Sequence, residues 1–360
     1  MVDRLTGKPI HLDISDEPMR RGICGNSNKF LVGPSGTGKS FFVNLIARQY
    51  YEQGTHVVIV DIGNSYKGLC ELIRNRTNGR DGFYFEYSEN DPVSFNPFYS
   101  ADKLYDVETR ESIKTLLMTL WKRDDEPPTR AEEVALSNAV NLYLILVQNG
   151  QVIPCFNTFY DYLRTDYRAV LDHKNVREKD FDLENLLNVL EPFYKGGEYE
   201  LLLNSDKQLD LHAGRFMVFE LGNIKDNPIL FAVTTLVIMS TFINKMRRLQ
   251  GVRKAFFCDE AWQCVARTGM ASFIKFLYKT GRKHFCEIVT ITQEINDIVT
   301  SPIVRESIVA NSDIKILLDM KKYMQRFDEI QELLGLSAKE KNQILSLNQS
   351  NDPTRRYKEV

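Results

Sequence analysis

A chain of 360 residues, 43% hydrophobic and 26% charged, has the composition of a soluble globular protein with a full core, which excludes a disordered or membrane-embedded chain. Its 46 basic and 48 acidic side chains leave a net charge of -2, so there is no global pull toward nucleic acid or anionic lipid. DNA binding is therefore not indicated by charge and would need a local basic surface. The six cysteines contain no C-x-x-C pair and the five histidines are scattered, which argues for reduced cytosolic thiols and against a disulfide framework or a metal cluster.

In chain order, Met1–Pro18 is polar and acidic, unlike a signal peptide. Asn28–Val32 is an apolar run leading into a Gly-rich turn. Phe41–Gln53 has helical spacing, with Phe42, Leu45, Ile46 and Gln49 on one side, and Gly54 closes it. His56–Asp61 is a continuous β-branched run, as in a strand buried on both faces of a parallel sheet, so the opening reads as a βαβ unit. Phe83–Tyr87 is a further strand. From 101 to 210 the pattern turns helical, with apolar residues three and four apart over Lys103–Lys122, Thr129–Gln148, Thr158–Leu171 and Asp180–Phe193. The Tyr and Phe residues recurring there are read as core. Strands return at Phe216–Leu221, Lys254–Cys258, Ile288–Thr292 and Ile314–Leu318, with the long helix Pro228–Arg248 between the first two. Its apolar centre, Leu230–Ile243, is too short to span a bilayer and reads as a buried core helix.

Alternating β and α with buried strands predicts an α/β fold with a mostly parallel, doubly wound sheet. The expected organisation is an α/β domain over 1–100, an inserted all-α domain over 101–210, and the second part of the α/β domain over 211–360. The tail Asn348–Val360 is polar.

Gly33-Pro34-Ser35-Gly36-Thr37-Gly38-Lys39-Ser40 fits G-x-x-x-x-G-K-[ST] at every position. Glycines let the backbone wrap a phosphate so that N–H groups and a helix N-terminus face it. In this reading Lys39 reaches the β- and γ-phosphates of ATP, and the Ser40 hydroxyl ligates Mg²⁺. Ala255–Glu260 is a second buried run ending in two carboxylates. Asp259 is placed to hold the Mg²⁺ shell and Glu260 to polarise the attacking water, although acids at a helix start also favour the macrodipole. Ile288–Gln293 is a third, ending in an amide that either contacts the γ-phosphate or lytic water, or caps its strand. Arg282, near the end of the helical sequence that follows Lys254–Cys258 and runs to His284, either caps the C-terminus of that helix or acts as an arginine finger in a neighbouring subunit's site.

Asn28-Lys29-Phe30 running into the Gly33–Ser40 turn, Gln49-Tyr50-Tyr51-Glu52-Gln53-Gly54, Asp61-Ile62-Gly63-Asn64-Ser65-Tyr66-Lys67-Gly68-Leu69-Cys70, Cys258-Asp259-Glu260-Ala261-Trp262, Gly281-Arg282-Lys283 and Ile291-Thr292-Gln293-Glu294 are similar to the TraG-type ATPases of Bacteroides conjugative transposons. Those in turn resemble the TraC-like traffic ATPases of type IV secretion systems. The resemblance spans essentially the whole chain and implies a RecA-like motor with an inserted helical domain. It implies a hexamer or similar ring on the cytoplasmic face of the inner membrane, docked on type IV secretion components, that hydrolyses ATP to drive pilus assembly and substrate transfer. In related conjugation motors an arginine about eleven residues before the strand-end glutamine acts across the subunit boundary, the spacing of Arg282 and Gln293. The resemblance also implies a long N-terminal docking region, so the chain is expected to be the C-terminal motor portion of a longer protein.

Two other classes stay open: a DNA-pumping motor of the coupling-protein or FtsK/HerA kind, and a non-catalytic nucleotide-gated scaffold. Near-neutral charge weighs against the first, and the set Lys39, Ser40, Asp259 and Glu260 against the second.

Overall fold

The computed structural model describes residues 13–88, 94–100, 105–122, 126–205, 214–260, 268–293 and 308–347, together with Thr6, Lys8 and Pro9. Ala261, Trp262, Cys264, Glu294 and the tail Asn348–Val360 lie outside them. The chain divides into two compact units. One comprises Met1–Tyr84, Gly214–Gly222 and Asn244–Val360, and the other Phe85–Ala213 and Asn223–Ile243. The helical unit thus takes in 85–100 and 223–243 in addition to the helical stretch marked by periodicity. Composition marks where the element type changes, whereas packing decides which unit an element joins.

Seven strands, β1 (Lys29–Val32), β2 (His56–Asp61), β3 (Phe83–Glu86), β4 (Phe216–Glu220), β5 (Lys254–Cys258), β6 (Cys286–Thr292) and β7 (Ile314–Leu317), form one sheet in the order β3-β4-β2-β5-β6-β1-β7. The five pairings described residue by residue are all parallel. Strands β1, β2, β4, β5 and β6 are buried along their whole length, which is why their sequences read as continuous apolar runs instead of alternating ones. Strands β5 and β6 lie between β1 and β2, although all of the chain's first βαβ unit precedes them in sequence. Register then lines the strand ends up along one edge, with Val32 opposite Thr292, Cys258 opposite Thr290, and Asp61 opposite Glu220.

The helix after β1 runs Lys39–Glu52 and buries Phe42, Val43, Ile46, Ala47 and Tyr50. Leu45 and Gln49, expected on that face, are exposed. The buried stripe is centred one position away, where three- and four-residue steps from Lys39 keep contact with the core. Among the described residues, Asp16–Arg20, Lys67–Arg76, Phe327–Leu334 and Ala338–Leu345 are helices without a counterpart in the sequence reading.

The helical unit contains Val107–Trp121, Arg130–Gln148, Phe156–Tyr162 continuing through a π turn into Arg168–His173, and Leu183–Leu190. Its aromatics are core, as their spacing suggested: Phe98 stacks on Phe159 at 5.0 Å and meets Tyr143 edge-on at 5.3 Å. Buried phenols find acceptors, with the Tyr143 hydroxyl donating to the Cys155 carbonyl at 3.0 Å and that of Tyr105 to the Phe98 carbonyl at 2.7 Å. The long helix forms over the expected residues, Pro228–Arg248, and among the described residues it is the one helix long and apolar enough to cross a membrane; 56% of its most apolar stretch is buried within the protein. The described cysteines, Cys24, Cys70, Cys155, Cys258 and Cys286, are free thiols.

Candidate nucleotide-binding site

The chain leaves β1 into the turn Gly33–Ser40. The Gly33 N–H donates to the Thr292 carbonyl at 3.2 Å, which ties the turn to the end of β6. A Cβ on Gly33 would lie 2.6 Å from Leu318 Cδ1 and 2.9 Å from Thr37 Oγ1, so a larger residue there would have to displace both side chains. Pro34 is buried and its carbonyl accepts from the Thr37 hydroxyl at 2.7 Å, while Ser35 and Gly36 are exposed at the tip. Gly36 and Gly38 take φ of 81° and 94°, the left-handed region that other residues rarely enter. Gly38 is the N-cap of the helix Lys39–Glu52 and offers no side-chain acceptor. The first-turn N–H groups are thus left for an external anion, with the positive end of the helix behind them.

Lys39 is buried, and its ammonium sits 2.8 Å from Asp259 Oδ1 and 3.2 Å from Glu260 Oε1. Both carboxylates stand at the end of β5, two strands away from β1. Glu260 has a φ of 54°, an uncommon conformation for a non-glycine residue and one concentrated at functional sites. From the intervening strand β6, Gln293 Nε2 donates to Glu260 Oε1, and the Gln293 carbonyl accepts from the Tyr323 hydroxyl at 3.2 Å. Lys39, Asp259, Glu260 and Gln293 therefore meet at one point of the carboxyl edge, with half-buried Ser40 next in the chain after Lys39.

Arg282 is not part of this group. It lies, exposed, in the turn Gly281–His284 that precedes β6, at the amino end of the strand whose carboxyl end bears Gln293. A seven-residue strand is roughly 20 Å long, so this arginine stands at the opposite edge of the sheet from its own P-loop.

Three residues without a role in the sequence reading join the site. Asp61 ends β2 and Glu220 ends β4, beside each other in register. Burial, then the charges of Glu220 and Asp259, push the Asp61 carboxyl up to about 8. The Glu220 carboxylate accepts from the N–H groups of Gly63, Asn64 and Gly222, at 2.8–3.1 Å for the closest oxygen of each. Tyr66, fully buried, donates its hydroxyl to Asp259 Oδ2 at 2.6 Å. Burial and the neighbouring Asp259 charge push that phenol well above its usual range. The signal that marked Asp259 and Gln293, a polar residue ending a buried apolar run, was present equally at Asp61 and Glu220.

The donor set suits Mg-nucleotide: an uncapped helix N-terminus behind a glycine turn for phosphate, one lysine, and Ser40 with Asp259 for the cation. Among the described residues no three His, Cys, Asp or Glu side chains form a metal cage, and Mg²⁺ takes most of its shell from water and phosphate.

A model of the TraG P-loop domain matches residues 1–360. Protein TraC of Escherichia coli K12 is 25% identical over 319 residues, covering 84% of this chain and 34% of TraC. The type IV secretion protein virB4 of Bartonella quintana is 21% identical over 277 residues, covering 77% of this chain and 31% of virB4. The chain thus spans about a third of the length of these relatives. Among solved structures, VirB4 of Thermoanaerobacter pseudethanolicus superposes with a TM-score of 0.63 at 21% identity, over 96% of this chain and 89% of that one. The plasmid coupling protein TrwB, in complex with an ATP analogue, gives 0.52 at 15% identity over 85% and 74%. These likenesses establish a RecA-like P-loop fold for the parallel seven-stranded sheet. Matched by the family model from first residue to last, the chain belongs to the TraG P-loop domain family.

Proposed function

We propose that this chain is the ATP-hydrolysing motor portion of a conjugative type IV secretion ATPase, powering pilus or channel assembly and substrate transfer. The observation that carries the reading is the meeting of Lys39, Asp259, Glu260 and Gln293 at one edge of the sheet. In this reading the Gly33–Ser40 backbone cradles the triphosphate, and Lys39 exchanges its two carboxylates for phosphate oxygens. Ser40 and Asp259 hold Mg²⁺. When bound, the cation would neutralise charge on the phosphates. Glu260 polarises the attacking water, and Gln293 fixes the Glu260 carboxylate or contacts the water beside it. Arg282, remote from its own site, serves the site of the next copy in a hexamer or similar ring. The helical stretch 101–210 is an insertion in the motor. Attachment to the inner membrane comes through secretion-system components or a further N-terminal region.

The test is phosphate release from Mg-ATP at moderate salt, with and without DNA, using Lys39→Ala as the blank. Turnover indifferent to DNA, and a Glu260→Gln variant that binds ATP without releasing phosphate, are the expected results. Normal hydrolysis by Glu260→Gln would overturn its assignment. Strong stimulation by DNA, lost as salt rises, would replace this reading with that of a DNA-pumping motor.

A further inference from the structure

The loop between β2 and the helix Lys67–Arg76 is held more tightly than a connection of its length requires. The Ser65 N–H donates to Asp61 Oδ2 at 2.7 Å, and the Gly63 and Asn64 N–H groups donate to Glu220 at 3.1 and 2.8 Å. Asn44, one turn into the P-loop helix, donates through Nδ2 to the Ser40 carbonyl at 2.8 Å and to the Ser65 carbonyl at 3.0 Å. One amide thus ties the first turn after the P-loop to the loop residue before Tyr66. The Tyr66 carbonyl accepts from the Cys70 N–H at 3.0 Å, which locks the other side of the residue into the following helix. All this bracing delivers a single functional group, the Tyr66 hydroxyl, to Asp259 Oδ2.

We propose that Tyr66 is a positioning residue for Asp259, holding one carboxylate oxygen so that the other stays aimed at the P-loop when Lys39 changes partners. The inference rests on the nucleotide reading above and adds a residue to it. Asp259 Oδ1 is contacted by Lys39 at 2.8 Å and by the Glu260 N–H at 3.0 Å. If Lys39 turns to phosphate, Asp259 loses one of these restraints, and the phenol on Oδ2 becomes the side-chain contact that keeps its rotamer. A neutral donor suits the task. It orients the carboxylate without cancelling the charge that Asp259 offers to a cation, as a lysine or arginine there would. The bridge through Asn44 makes the aim of Asp259 depend on where the Ser40 turn sits, so the two proposed Mg²⁺ ligands are held by one chain of hydrogen bonds.

Tyr66→Phe removes the hydroxyl and keeps the buried ring. Binding of a fluorescent ATP analogue is titrated in EDTA and then across Mg²⁺ concentrations, with Mn²⁺ binding to the nucleotide complex followed by electron paramagnetic resonance. The expected result is unchanged nucleotide affinity in EDTA with a roughly tenfold weaker response to Mg²⁺ and Mn²⁺, the loss of one hydrogen bond to a charged group. Asn44→Ala, which loosens the loop without touching the buried phenol, should shift the metal response in the same direction by less, and it serves if Tyr66→Phe does not fold. Metal dependence equal to the wild type in both variants overturns the role of Tyr66 while leaving the nucleotide reading intact. A wild-type protein that binds the analogue no better than Lys39→Ala overturns the nucleotide reading, and the role of Tyr66 with it.

Discussion

Lys39→Ala, the natural blank for hydrolysis, is predicted to destabilise the protein even without nucleotide. The Lys39 ammonium is the cation that contacts Asp259 and Glu260, and all three side chains are at most 10% exposed. Removing one partner from a buried ion pair leaves an uncompensated charge and costs roughly 3–5 kcal/mol. Here the loss belongs at the lower end. Asp259 keeps the Tyr66 hydroxyl and the Glu260 N–H, and Glu260 keeps the Gln293 amide. About 3 kcal/mol in a unit of roughly 200 residues lowers its Tm by ~6–12 °C. The assay is thermal unfolding of wild type and variant in EDTA, without nucleotide or phosphate. Adding Glu260→Gln to Lys39→Ala removes one of the two carboxylate charges that Lys39 faced and should recover part of the loss, so the double variant melts above Lys39→Ala alone. A Lys39→Ala protein melting within about 2 °C of wild type would refute the reasoning, because it would mean that the lysine does not compensate these carboxylates.

Two further outcomes are expected. His56 is buried at the amino end of β2, and its Nδ1 lacks a hydrogen-bond partner among the described residues. Burial, then the charges of Lys245 and Arg215, push it down to about 4. A base depressed in the fold is neutral there while the unfolded chain takes up a proton, so stability is lost as pH falls from 6.5 toward 4. Between pH 7 and 5 the loss should be about 1–2 kcal/mol in urea unfolding, and His56→Gln should flatten that slope; an unchanged slope would locate the titration elsewhere. Mixing inactive Arg282→Ala with inactive Lys39→Ala should restore part of the ATPase activity, because some interfaces then pair an intact P-loop with an intact arginine; no recovery at any ratio would remove Arg282 from the site.

Most strands were legible because a parallel sheet hides both faces of each strand, and His56–Asp61, Lys254–Cys258 and Cys286–Thr292 keep apolar or β-branched residues in their interiors with polar ones mainly toward the ends. The helix Lys67–Arg76 was not, since it is short and buries only Cys70 and Ile73, with Leu69 partly buried, Leu72 exposed and the remaining positions polar or glycine. Ala338–Leu345 buries none of its residues, so there is no apolar stripe to find. Its start did carry a local signal, the Ser337 and Glu340 capping box, whose reciprocal bonds the structure contains. Strand order was beyond local reading altogether. Nothing in the first hundred residues says that β5 and β6, encoded some two hundred residues later, will come between β1 and β2.

That insertion is what assembles the site, and it also decides which of its residues could be recognised singly. Gly33–Ser40 is legible because one continuous segment must meet a phosphate through its own backbone, which restricts several consecutive positions at once. Asp259 and Gln293 were legible in their relation to that segment: once a P-loop is present, a polar residue ending a buried strand has a partner to act on. Asp61 and Glu220 end buried strands in the same way, but their partners are each other and backbone N–H groups, that of Ser65 for Asp61 and those of Gly63, Asn64 and Gly222 for Glu220. A carboxylate engaged with backbone gives no chemical expectation from sequence. Tyr66 is harder still, because a tyrosine three residues beyond Gly63 reads as core, and it is core, fully buried, until its hydroxyl is found on Asp259. Residues that touch substrate must be chemically distinctive, whereas residues that aim them need only reach them, and reach is a property of the folded sheet.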